Sequence, residues 1–122
     1  MSIEVHPGDR PLLPPPPPTW GEIAADGKVA IVLRLALANR WVSFPVDQFK
    51  RWDHEVGEPE LLTIRTEKDR IVVEGRDLAP VRVALDLGRL SELRTNFPNK
   101  ARPRPGPQVS RITVETITVE TK

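Results

Sequence analysis

This chain of 122 residues contains no cysteine. Disulfides and thiolate metal sites are therefore excluded, and there is no thiol nucleophile. It has no tyrosine and only two histidines, His6 and His54. Neither histidine has a partner at metal-ligand or triad spacing, so no metal and no cofactor is expected. The glycines never cluster as Gly-x-Gly-x-x-Gly or as a phosphate loop. None of the serines, Ser2, Ser43, Ser91 and Ser110, sits in a Gly-x-Ser-x-Gly elbow. Asp53-His54-Glu55 comes nearest to a catalytic group. Neighbours in sequence point in different directions, and the triplet reads as a charged turn. Long apolar runs are missing as well. The longest, Val29 to Ala38, is broken by Arg34 and falls far short of the ~20 residues of a membrane-spanning helix. The opening MSIEVHPGDR has no apolar stretch of the kind a signal peptide needs. Together these absences point to a non-enzymatic, cytoplasmic protein with no membrane segment.

Charge of one sign is also lacking. Eighteen basic side chains face seventeen acidic ones, for a net charge of +1. That balance argues against a surface that grips nucleic acid over its whole extent. The basic residues are nonetheless uneven. No acid lies between Glu92 and Glu115, while Arg94, Lys100, Arg102, Arg104 and Arg111 do. These five are the candidate contacts for an anion or a nucleic acid. The excess of arginine over lysine reflects, on the simplest reading, a GC-rich bacterial genome.

Proline is what the chain has in quantity, with fourteen residues. Half of them fall in residues 1–19, including the run Pro14 to Pro18. Such a run offers no backbone donors, so residues 1–19 read as a flexible polyproline arm. A second rich stretch, NFPNKARPRPGPQ, covers residues 96–108. It reads as a connector that spans roughly 43 Å when extended. Between them, residues 20–95 make one small domain, followed by a terminal strand at 109–122.

Within the body, Val29, Ile31, Leu33, Leu35 and Leu37 share one parity, which predicts a strand over Lys28 to Ala38 with those five inward. Asn39-Arg40 turns the chain into a second strand at Trp41 to Phe44, ended by Pro45. Val46, Phe49 and Lys50, with Trp52 beyond, suggest one to two helical turns capping one sheet end, and Asp53 to Pro59 reads as a polar loop. Leu61 to Thr66 and Arg70 to Glu74 form a second hairpin, with Ile64, Ile71 and Val73 inward. Asp77 reads as an N-cap and Gly88 as the residue past a helix from Leu78 to Leu87. Its buried stripe is Leu78, Val81, Ala84 and Leu85. Leu90 and Leu93 read as a further helical turn. The expected fold is α+β: an antiparallel sheet of two hairpins plus the C-terminal strand, with one main helix on a face. A small all-β barrel is the alternative if residues 81–87 are extended.

The last residues carry the strongest functional signal. ITVET runs from Ile112 to Thr116 and again from Ile117 to Thr121. Five is odd, so Ile112 and Val114 face one way while Ile117 and Val119 face the other. A strand apolar on both faces needs cover on both, or a bulge. A body of this size supplies only about 3–5 kcal/mol from its core, and without disulfides or metal the remaining staple is oligomerisation. The aromatic set adds a second surface. Trp41 and Phe44 have opposite parity, so one is core and the other displayed, and Trp52 lies beside Lys50 and Arg51. Ile112, Val114, Ile117, Val119, Trp41, Phe44 and Trp52 are therefore the candidate interface. The expectation is a non-catalytic module that self-associates as a homodimer through its terminal strand. The alternative is a nucleic-acid accessory protein using the basic connector.

Overall fold

A computed structural model describes residues 18–96 and 106–117. Residues 1–17 of the proline arm, the centre of the connector with Lys100, Arg102 and Arg104, and Val119 lie outside the described residues. In chain order the elements are β1 (Gly21–Ile23), β2 (Val32–Ala36), β3 (Trp41–Pro45), a 3-10 turn (Val46–Gln48), β4 (Arg51–Glu55), β5 (Glu60–Arg65), β6 (Asp69–Arg76), α1 (Ala79–Asp86), β7 (Leu90–Arg94) and β8 (Gln108–Thr116). They form two four-stranded sheets, ordered β1-β7-β2-β3 and β4-β5-β6-β8. The fold is a small mixed α/β arrangement with one α-helix and no closed barrel among the described residues.

Both expected hairpins are present, β2–β3 and β5–β6. The β5–β6 turn is held by Thr66, whose Oγ1 accepts from the amides of Lys68 (3.2 Å) and Asp69 (2.9 Å). The single expected sheet is corrected to two, because three strands escaped the pattern. Arg51 to Glu55 is a strand, where helical turns and then a loop from Asp53 were expected, and it pairs residue for residue with β5. Gly21 to Ile23 pairs with β7. Leu90 and Leu93 belong to strand β7, not to a helical turn, and β7 runs parallel to β2 with Leu35 opposite Leu93. The strand expected from Lys28 is shorter and begins at Val32. Ala30 donates to Gly88 O (2.7 Å) and Ile31 O accepts from Val46 (2.9 Å), so this stretch bends between other partners. Val29 and Ile31 are left 69% and 79% exposed.

Two bulges interrupt the alternation, and the one in β7 gives that strand the look of a helical turn. In β7 the register slips opposite Glu22/Ile23, leaving Ser91 as the extra residue. In β8 it slips opposite Glu74/Gly75, leaving Ser110 as the extra residue. An extra residue resets the two-residue alternation. Leu90 with Leu93, and Val109 with Ile112, thus turn to the same side at a three-residue spacing. That spacing resembles one face of a helix in sequence. Gly75 faces the β8 bulge at close range: a Cβ there would collide with the backbone carbonyl of Gln108.

Helix α1 settles the ambiguity at residues 81–87. Val81, Ala84 and Leu85 are buried while Val83 and Leu87 are exposed, a helical and not an alternating pattern. Its C-terminal end closes as expected. Gly88 (φ 69°) donates to Leu85 O (3.0 Å) and Arg89 donates to Ala84 O (2.9 Å), which satisfies two of the last carbonyls. The N-terminal end differs from expectation. The capping position is Leu78, not Asp77, and no side chain of either caps the helix. Glu60 on β5 does so instead, accepting from the amides of Asp77 (2.8 Å) and Leu78 (3.1 Å).

One apolar core joins the pieces. Leu33, Leu35 and Phe44 of the first sheet, Leu62, Ile64, Ile71 and Val73 of the second, and Leu78, Val81 and Leu85 from the helical segment share it. Each such side chain contributes about 1.5–3 kcal/mol when fully buried.

Candidate functional site

Strand β8 lies at the edge of the second sheet, with β6 as its neighbour. Val109 is fully buried, and Ile112 and Val114 are half-buried against the core. Arg111 and Glu115 point to the opposite face. There Arg111 Nε lies 3.8 Å from Glu74 Oε2, and Arg70 Nε lies 3.3 Å from Glu115 Oε1. Ile117, just past the strand, donates its amide to Lys68 O (2.7 Å). That bond fixes the phase of the ladder. Residues 111, 113 and 115 turn their backbone groups toward β6, so Ile112 and Val114 turn theirs away from it. At the start of the strand, Asn96 covers the outer edge. Its amide donates to Val109 O (3.0 Å) and its Oδ1 accepts from Val109 N–H (2.6 Å).

The aromatic residues separate as their parity requires. Phe44 is core and meets Phe49 with ring centroids 6.5 Å apart. Trp41 is displayed, 61% exposed, on β3, which is an edge strand of the first sheet. Trp52 is half-buried, and its indole N–H donates to Asp86 Oδ1 (2.7 Å). With Val46, Phe49, Leu85, Asp86, Gly88 and Leu90 it lines a cleft of about 200 Å³ beside the end of α1. That volume suits one side chain better than a small-molecule ligand, whose sites usually exceed about 300 Å³.

A polar chain runs from this cleft to the start of the helix. Asp86 Oδ2 accepts from Arg82 Nη1 (2.8 Å), and Arg82 Nε donates to His54 Nδ1 (3.3 Å). His54 Nε2 lies 2.8 Å from Glu60 Oε1. Because Nδ1 accepts, Nε2 carries the proton and donates to Glu60. Burial alone lifts the Glu60 carboxyl, but the bonds from His54, Leu78 and Asp77 together outweigh it and hold the group below the usual carboxylate range. Both His54 nitrogens are thus engaged in hydrogen bonds within the protein. Apart from His54, the members of this chain carry no local signal, because bonded partners along it lie up to 28 positions apart. No group of residues able to hold a metal ion occurs among the described residues.

Of the basic candidates, Arg94 joins an ion-pair cluster on the first sheet. Its Nη2 lies 2.7 Å from Glu92 Oε2 and 4.0 Å from Glu22 Oε2. Arg34 completes the cluster at 3.5 Å from each of those glutamates. Arg94 and Arg111 therefore sit on opposite sheets, each beside a carboxylate, and do not converge on one described surface. No described helix is long and apolar enough to cross a membrane. Comparison with protein-family models, curated proteins and solved structures found no match to this chain.

Proposed function

We propose that this protein is a non-catalytic interaction module that assembles with a second copy of itself through its C-terminal strand. One observation carries the reading: β8, the longest strand at nine residues, stands at a sheet edge with its apolar face half-covered. An edge of this kind is a template for another strand. The pairing of β8 with β6 of its own chain supports edge pairing over exchange of the strand. The displayed Trp41 offers a second contact surface on the other sheet. Light scattering across a range of concentrations tests the proposal. A mass that rises toward twice that of the chain is expected, and a mass that stays at one chain throughout would refute it.

A further inference from the structure

We infer that two copies pair β8 with β8 antiparallel, with Thr113 on the two-fold axis. This rests on the self-association proposed above and specifies its register. The backbone limits the choice first. Outward-turned groups belong to Ile112, Val114 and Thr116, while the edge at Val109 is closed by Asn96. An antiparallel two-fold pair formed with those groups is centred on one of residues 112 to 116; centring on Glu115 sets two carboxylates against each other and centring on Thr116 sets Glu115 against Ile117, which leaves 112, 113 and 114.

The side chains then select among the three. Centred on Thr113, Ile112 exchanges both backbone bonds with Val114 of the other copy, and the two threonines face each other across the axis. On the outer face, Arg111 lands opposite Glu115 of the other copy, twice by symmetry. Each outer row then reads Glu74, Arg111, Glu115, Arg70 across the junction, alternating in sign, because Arg111–Glu74 and Arg70–Glu115 are already neighbours within each chain. Centring on Ile112 would instead set Arg111 against Thr113 and Ser110 against Val114. Centring on Val114 would set Glu115 against Thr113 and Ile112 against Thr116. Neither pairs opposite charges across the axis, and each sets an apolar side chain opposite a polar one. Cross-strand pairs of matched character stabilise a sheet, and like charges directly opposite destabilise it.

Charge reversal with mixing tests the register. In Arg111→Glu alone, glutamate faces glutamate at both ends. In Glu115→Arg alone, arginine faces arginine at both ends. Each variant by itself should associate about tenfold more weakly than wild type, or worse. An equimolar mixture should recover a 1:1 dimer, because every cross-axis pair is again of opposite sign. Thr113→Lys, an outer-face change that sets two ammonium groups against each other, should give a folded monomer. It guards against a reversal variant that does not fold. If wild type dimerises and all three variants do so equally well, the register is overturned while self-association stands. If wild type is monomeric at every concentration, both fall.

Discussion

The Glu60 carboxylate accepts two hydrogen bonds from the backbone at the start of α1, the amides of Asp77 and Leu78, at 2.8 and 3.1 Å. The cap of the helix therefore comes from a strand of the second sheet, 17 residues earlier in the chain. The same carboxylate also holds His54, so one side chain ties β4, β5 and α1 together. Glu60→Ala removes the acceptor for two backbone amides at the entry to α1 and for His54. The expected loss is about 1–3 kcal/mol, which a thermal melt reads as a fall of several degrees. A melt unchanged from wild type would contradict the capping role.

The same group gives the protein an acid sensitivity. Its carboxyl is held low in the folded chain relative to an unfolded one. Its contribution is thus present above the ordinary carboxylate pKa and is lost as pH falls through the lower, folded value. Urea midpoints measured from neutral pH downward should decline through the acid range. In Glu60→Gln that decline should be shallower, with a lower starting stability at neutral pH.

Gly75→Ala tests the close approach at the β8 bulge. The added methyl would overlap the Gln108 carbonyl, so β8 must shift outward from β6. Overpacking of this kind costs about 1–3 kcal/mol. Amide exchange at Val109 and Ser110 should quicken before the rest of the sheet is affected. Equal protection in wild type and variant would refute the steric account.

Trp41 and Phe44 should respond in opposite ways. Trp41→Ser alters an exposed ring and should change stability by no more than about 0.5 kcal/mol. Phe44→Ala empties a buried site and should cost about 3–5 kcal/mol. Comparable losses for the two would contradict the assignment of one to the core and the other to the surface.

Much of this fold could be read from the sequence where one local rule governed. The two hairpins followed from alternation, and α1 followed from its stripe and from Gly88. The misses have separate physical causes. Leu90 and Leu93 stand three apart because an inserted residue resets the strand, and a three-residue spacing mimics a helix. The β4 strand was hidden by charged and polar residues, since only Trp52 and His54 of its members turn toward the helix side. The cap from Glu60 and the chain through Arg82 and Asp86 depend on contacts distant in sequence, which no periodicity encodes. The β8 surface was readable in its apolar members, Ile112 and Val114. The complementarity of Arg111 and Glu115 emerged only once the ladder fixed which backbone groups face outward.

Amide hydrogen exchange along β8, followed by NMR at low and high protein concentration, is the most direct test of assembly through this edge. The amides of Arg111 and Thr113 bond within the chain and should be protected at both concentrations. Those of Ile112 and Val114 should exchange quickly when dilute and become protected when concentrated, as each finds a carbonyl on the second copy. Rapid exchange at Ile112 and Val114 at every concentration, with the rest of the strand protected, would contradict the account.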